Sequence, residues 1–354
     1  MLPNTVTAPF PARDCMTAIR RVCVMASAVG GWLLRILVLV VPLTFAPGGA
    51  SSAAPRAEDG APDLVMPPIR ERVVTTRDVT SSHGVRYRLF VSAPKGAPPP
   101  GGFPVIYLLD GNAWFGVAAS ISRVFEYGAG PCLVVGIGYP VKSLWSARQR
   151  EFDTTMVSTT PPDQPKWSTG GADDFLDFIV GTVKPQIEAR FRIDQTRELL
   201  FGHSLNGLFV LHALYARPDA FRIFVAASPS IWWGDFAILS QETEFEKRPL
   251  PEAPPRVLVT VGSKEATFQP SAAMRATLLQ HPEVLGGHSP DELMAMYESL
   301  ALKYRMVDAA RETAERLRAH GMDAAFIDYQ DEEHNTEAPM AITRALEMLL
   351  SPAS

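Results

Sequence analysis

Ser204, Glu265 and His334 are the residues of this 354-residue chain whose types and order could do covalent chemistry. Ser204 lies in "LLFGHSLNGLFVLHAL", where an apolar run stops at Gly202 and a helical pattern starts at Leu205. The pattern G-x-S-x-G sets a serine on a tight strand-to-helix turn, with its hydroxyl exposed above a sheet. Here Asn206 replaces the second glycine, and Gly207 follows one residue late. A serine in this place is also a common helix cap, because its oxygen accepts a free N–H of the first turn. The turn alone leaves both roles open, so a base and an acid must decide between them.

A serine on such a turn needs a base, and the elbow arrangement brings acid and histidine later in the chain, each just after a strand. Five histidines follow Ser204. His212 is eight residues along the same helix, roughly 12 Å away at 1.5 Å per residue, too far to take the proton. His320 falls in the last turn of a helical pattern, where a cation suits the dipole. His281 and His288 fall in a Gly/Pro-bearing loop with no strand to fix them. His334 follows "AAFIDYQDEE", the last strand pattern and its exit, which is where a general base would be delivered.

Glu265 follows "VLVTVGSK", and a carboxylate there can fix the imidazole tautomer and stabilise the imidazolium. Asp235, after "ASPSIWWG", is the rival one strand earlier, and Glu265 as an ordinary surface carboxylate is the plain alternative. Asp331, Glu332 and Glu333 read as a solvated turn beside His334. An oxyanion intermediate needs two backbone N–H groups. One belongs to Leu205, after the serine, and the other to Gly111 or Asn112, after the strand "VIYLL". Asp-Gly-Asn is also a common turn.

The elements that must position these residues are apolar runs bounded by Gly, Pro or Asp: "RYRLFVSA", "FPVIYLLDG", "CLVVGIGYP", "ELLFGHS", "FRIFVAASPS", "PRVLVTVGS" and "AAFIDYQ". Continuous rather than alternating hydrophobicity predicts strands buried on both faces. Helical stretches lie between them, "ADDFLDFIVGTVKPQIEARF" and "YESLALKYRMVDAARETAERLRAHG" among them, and "PMAITRALEMLL" closes the chain. This is the α/β class, whose chemistry collects beyond the carboxyl ends of the strands.

Residues 1–53 have a basic start, an apolar run and small residues, the layout of an export signal. Residues 54–68 read as a Pro/Ala-rich linker, and 69–354 as one α/β domain. A retained anchor is the alternative to cleavage. The apolar run carries Arg35 and Pro42 and is short for a bilayer span, so no stable membrane span is expected after processing. Loss of 1–53 removes four arginines and one aspartate, taking the net charge from −5 to −8. An acidic body argues against nucleic acid as partner. Cys15 and Cys23 would leave with the signal, and the remaining Cys132 reads as a core residue, without a disulfide framework or a cysteine metal cluster.

The stretches "FPVIYLLDGNAWF", "VVGIGYP", "GGADDFLDFIVGTVKPQIEARFRID", "LLFGHSLNGLFVLHAL", "FVAASPSIWW" and "DEEH" together resemble the putative-esterase family of α/β hydrolases. Within it they resemble the branch holding the periplasmic and cytosolic esterases of catecholate siderophores, ferri-enterobactin and ferri-bacillibactin. The likeness runs over residues 70–350. It implies an α/β-hydrolase fold, with a mostly parallel central sheet and helices on both faces. It implies Ser204 as nucleophile, His334 as base and Glu265 as supporting acid, with no metal or organic cofactor. The segment "RQREFDTT" resembles the family's R-x-x-D-x-T stretch near the substrate cleft, which makes Arg150, and with it Arg148, candidates for binding an anionic substrate. Asn206 and Met156 depart from the family pattern. Asparagine tolerates unusual backbone angles, so the elbow is expected to survive and Asn206→Gly to be tolerated.

The expectation is an exported, periplasmic serine esterase forming an acyl-enzyme on a small-molecule ester, with a ferric siderophore trilactone as the substrate the resemblance suggests. Trp114, Trp232 and Trp233, just after strands, would offer flat stacking area, or else pack beneath a lid. The rivals are an acyltransferase on the same scaffold, a general carboxylesterase, and a non-catalytic binding module that keeps the fold.

Overall fold

The computed structural model describes residues 73–157, 168–267, 276, 279–280 and 289–351. The segments read as export signal and linker, the boundary at residue 69, and His281 and His288 lie outside these residues.

The strands are β1 (Val73–Thr80), β2 (Arg86–Ala93), β3 (Phe103–Leu109), β4 (Leu133–Gly138), β5 (Ile193–His203), β6 (Ile223–Ala227), β7 (Arg256–Gly262) and β8 (Ala324–Tyr329). They form one sheet in the order β1-β2-β4-β3-β5-β6-β7-β8. β2 runs antiparallel to both β1 and β4, and every pairing from β4 to β8 is parallel. The seven apolar runs read from sequence are β2 to β8. β1, "VVTTRDVT", was not among them, because its exposed edge mixes polar and charged residues into the run.

All residues of β3, β4 and β6 are buried, as a parallel sheet covered on both faces requires. One face packs under α1 (Gly111–Phe125) and the C-terminal helix. Phe115 and Ala118 share one buried cluster with Ile106, Leu108, Val134, Leu199 and Phe201, and Ala341, Ile342, Ala345, Leu346 and Leu349 of the last helix belong to it. Small residues in these helices let the backbones approach the sheet.

A short helix, α2 (Ala147–Thr154), follows β4. The helical run before β5 is α3 (Ala172–Phe178), a five-residue π turn (Ile179–Val183) and α4 (Lys184–Glu188). The π turn precedes Pro185, which has no N–H to give and whose ring crowds the carbonyl four residues back, so the wider register relieves the helix. α5 (Leu205–Ala216) is buried along eleven of its residues, Leu205 to Tyr215. α6 (Trp233–Phe236) and α7 (Ile238–Glu246) follow β6.

The stretch before β8 is two helices, α8 (Pro290–Tyr304) and α9 (Met306–Ala319). Arg305 breaks them at φ 47°, and Gly321 ends the second at φ 97°. Residues 276, 279–280 and 289–296 belong to a second small unit. There Ser289 caps α8: its Oγ accepts from Glu292 N–H at 3.2 Å, and its own N–H donates to the Glu292 carboxylate at 2.8 Å. α10 (Glu337–Leu350) closes the chain. Among the described residues no helix is long and apolar enough to cross a membrane.

Candidate active site

β5 ends at His203 and α5 begins at Leu205, so Ser204 alone makes the turn between them. Its backbone stands at φ 65°, ψ −121°, a conformation that costs a residue with a side chain about 1–3 kcal/mol and is kept only when its surroundings fix it. They do. Ser204 N–H donates to Ala227 O at 2.9 Å, and Ser230 N–H donates to Ser204 O at 3.1 Å. Two glycines make room. A Cβ on Gly202 would lie 2.2 Å from the Asn206 carbonyl oxygen, and one on Gly207 would lie 2.8 Å from Ala227 O. The close approach that the motif assigns to its second glycine is thus met at Gly207, against the exit of β6. No side-chain cap bond from Ser204 to α5 is formed; its Oγ instead lies 3.5 Å from Ser230 Oγ.

β7 leads through Gly262 into a 3-10 turn (Ser263–Ala266) that carries Glu265. Its carboxylate is buried and fully engaged. Oε1 accepts from Gly262 N–H at 2.8 Å and from Ser228 Oγ at 2.6 Å. Oε2 lies 2.6 Å from His334 Nδ1. His334, in the loop between β8 and α10, is partly exposed. Asp235, the rival acid, sits exposed in a left-handed turn at φ 57°.

His203 ties the histidine loop to the elbow. Its Nε2 donates to the His334 carbonyl at 2.6 Å, and the two rings stand 4.6 Å apart. Burial, with His334 beside it, holds the His203 imidazole well below the usual histidine range. It is therefore neutral, with its proton on Nε2 to serve that carbonyl. Sequence reading passed over His203, because a histidine inside an apolar run reads as core.

β3 is the parallel neighbour of β5, so the ends of the two strands lie side by side. Asp110 follows β3 at φ 52°, and its carbonyl accepts from Ala113 and Trp114 at the start of α1. The N–H groups of Gly111 and Asn112 come before those first bonds, where a helix leaves its donors free. Leu205, at the head of α5, stands in the same relation to its helix. The Asn112 side chain faces elsewhere: Oδ1 accepts from Tyr139 N–H at 2.8 Å and Nδ2 donates to Tyr139 O at 3.0 Å, locking β3's exit to that of β4.

Arg150 differs from its sequence expectation. It is 7% exposed; Nε donates to Asp110 Oδ2 at 2.8 Å and Nη2 to the His203 carbonyl at 3.2 Å. Its position is that of a brace beneath two strand ends rather than of a substrate ligand, and Arg148 is the exposed arginine of the pair. Burial pushes the Asp110 carboxyl up, and Arg150 pulls it back down. Asn206 is 2% exposed and its buried amide nitrogen has no hydrogen-bond partner, so Asn206→Gly removes a buried polar group as well as restoring glycine. Arg150→Ala leaves the Asp110 carboxylate buried without its partner, and a loss of about 3–5 kcal/mol of stability is expected. Urea unfolding of the variant against wild type checks this; a loss below about 1 kcal/mol would mean that the pair braces nothing.

Of the tryptophans, Trp232 stacks on Tyr304 with ring centroids 3.9 Å apart. Trp114 packs partly on the core and meets His203 edge to face at 5.7 Å. Trp233 opens α6, half-buried. His212 is buried with Nδ1 2.9 Å from Gln241 Oε1, and His320 caps α9 against Phe245. Cys132 is fully buried in the core cluster. Ser228 and Ser230, on either side of Pro229, were not singled out as site residues. Their signal is the S-P-S at a strand exit, where one hydroxyl meets Glu265 and the other the Ser204 turn. Among the described residues no group of three or more His, Cys, Asp and Glu side chains converges as metal ligands.

Comparison with known proteins identifies the family. The family model described as "Putative esterase" matches residues 80–284. The ferri-bacillibactin esterase BesA of Bacillus subtilis is 34% identical over 303 residues, spanning 82% of this chain and 92% of its own. The siderophore triacetylfusarinine C esterase of Aspergillus fumigatus is 36% identical over 260 residues, spanning 70% and 82%. Among solved structures, the siderophore hydrolase EstA from Aspergillus nidulans superposes with a TM-score of 0.68 at 29% identity, covering 80% of this chain and 96% of its own. With a family model over more than half its length and relatives that span most of it, the chain belongs to the Putative esterase family, as an ester hydrolase with the α/β-hydrolase fold.

Proposed function

We propose that this protein is an exported serine esterase that opens the ester bonds of a catecholate siderophore lactone through an acyl-enzyme. The observation that carries the mechanism is the 2.6 Å contact of His334 Nδ1 with Glu265 Oε2, in a loop pinned by His203 next to Ser204. With Nδ1–H held by Glu265, Nε2 carries the lone pair that a general base needs. Ser204 Oγ attacks the carbonyl carbon while Nε2 takes its proton. The oxyanion falls to the N–H of Leu205 and of Gly111 or Asn112, at the heads of two helices whose positive ends favour it. The imidazolium returns the proton to the leaving alkoxide, and water repeats the cycle on the acyl-enzyme. Export would rest on residues 1–53, with the periplasm as destination.

A siderophore ester as substrate rests on the names of the relatives, esterases of ferri-bacillibactin and triacetylfusarinine C, and the choice of a catecholate rests on bacillibactin and on aromatic side chains that suit catechol rings. Trp232 on Tyr304, with Trp114 and Trp233, supplies the flat area, and the exposed Arg148 supplies charge. Hydrolysis of a tri-catecholate trilactone is compared with that of a short neutral aryl ester, for wild type and Trp232→Ala. The expected result is a kcat/KM for the lactone at least about tenfold higher. That ratio should fall about tenfold in Trp232→Ala, the loss of one aromatic contact of about 1.4 kcal/mol. Equal rates on both esters, indifferent to Trp232, would leave a general carboxylesterase.

A further inference from the structure

Glu337 is the first residue of α10, three positions after His334, and it is fully buried. A carboxylate at a helix N-terminus is ordinarily stabilised as the anion by the helix dipole. Here the reverse holds. Burial pushes the Glu337 carboxyl up to about 8, and the neighbouring Glu265 pushes in the same direction. At neutral pH Glu337 is therefore mostly a neutral acid that carries a proton to donate.

Where that proton can go is limited. Glu337 Oε1 accepts from Thr260 Oγ1 on β7. Oε2 is buried and has no hydrogen-bond partner, an arrangement that costs the desolvation of an unsatisfied polar group. The Ser228 hydroxyl also faces this carboxyl, and it already donates its own hydrogen to Glu265 Oε1 at 2.6 Å. A hydroxyl that donates once can still accept, and a protonated Oε2 is the group able to donate to it.

We propose that Glu337 is a positioning residue of the esterase site: its Oε2, the carboxyl oxygen without a partner, turns a proton to Ser228 Oγ, which holds Ser228 as a donor to Glu265 and so fixes the carboxylate that orients His334. This rests on the reading of Glu265 and His334 as acid and base. The ordered series runs Glu337, Ser228, Glu265, His334, each donor or acceptor set by the one before. When Glu337 ionises, Ser228 has two carboxylates to serve, and two negative charges face each other across it. Glu332 of the preceding loop and Tyr329 at the end of β8 also couple to Glu337 by charge, the Tyr329 hydroxyl itself donating to Met340 O. His334 lies beyond Glu265. Arg344 and Glu347, on the same helix, engage Tyr329.

Three consequences are measurable. Wild-type kcat for a neutral aryl ester should fall along an alkaline limb centred near pH 8, as Glu337 ionises. Glu337→Gln keeps a donor at Oε2 that cannot ionise. It should hold kcat within about threefold at pH 6.5 and lose the limb. Glu337→Ala removes the donor and should lower kcat about tenfold at pH 6.5 with KM little changed, the cost of about one misdirected hydrogen bond.

Stability supplies a second reading. An acid whose folded value lies above its unfolded one contributes stability below about pH 4.5, which is lost as pH rises toward 8. The melting temperature of Glu337→Gln should therefore gain on wild type between pH 5 and pH 9, which stays readable if Glu337→Ala does not fold. A Glu337→Gln pH profile that overlays wild type through pH 9 overturns the proposal. So does a Glu337→Gln kcat as low as that of a Ser228→Ala variant at pH 6.5. Hydrolysis that survives in Ser204→Ala would instead remove the underlying esterase reading, whatever Glu337 does.

Discussion

Ser204→Ala is expected to lower kcat/KM for ester hydrolysis by about 10⁶-fold while the protein melts within a few degrees of wild type. Ser204 has two requirements that pull apart: a strained backbone at φ 65° and a hydroxyl free of its own helix. Alanine meets the first as serine does, since the bonds to Ala227 and from Ser230 use only main chain. The second disappears. His334→Ala should cost about as much, and the double variant little more, because nucleophile and base act in one step. Kinetics of the three variants, with fluorophosphonate labelling, check this: wild type takes up one equivalent and Ser204→Ala none. Labelling of another residue, with Ser204→Ala still active, would displace Ser204 from its role.

Glu265→Gln is the second large effect, a fall in kcat of about 10⁴-fold, and the geometry says why an isosteric change should be so damaging. Oε1 faces two donors, of which Ser228 could turn its hydrogen away but the Gly262 N–H cannot. A glutamine must therefore present its oxygen there, leaving its NH₂ toward His334 Nδ1. A donor at that place forces Nδ1 to accept, moves the ring proton to Nε2, and turns the base into a donor toward Ser204. Steady-state kinetics from pH 6 to 9 read the result. Asp235→Asn, in its exposed turn, should stay within about twofold of wild type. If Asp235→Asn cripples the enzyme and Glu265→Gln does not, the acid lies one strand earlier.

The central strands were legible because burial on both faces writes itself as unbroken apolar runs, and the exits of β5, β7 and β8 could be located by the Gly, Ser and acidic residues that end them. β1 was not, since an edge strand with Arg77 and Asp78 has no such run. The break at Arg305 was hidden because a left-handed arginine carries no local signature. Glu265 could be named beside His334 since both follow strands that a parallel sheet makes neighbours. What sequence could not supply was direction. Arg150 lies beside the site in the chain's logic, yet its guanidinium points beneath the elbow to Asp110 and the His203 carbonyl, and no spacing rule tells a cleft-facing arginine from a buried one. Glu337 and Ser228 escaped for the same reason. Each is an ordinary residue by type, and only three-dimensional contact links them to the acid.

The bond from His203 to the carbonyl of His334 joins residues 131 apart in the chain, and the loop that carries His334 is held from behind by α10, which packs across β3, β5 and β6. Contacts this distant in sequence form late in folding. During synthesis the elbow strand emerges more than a hundred residues before His334, and α10 follows His334. Growing chains therefore form the Ser204 turn before the carbonyl that His203 bonds has been made. A chain that lacks α10 would keep most of its sheet and lose the helix that packs behind the His334 loop.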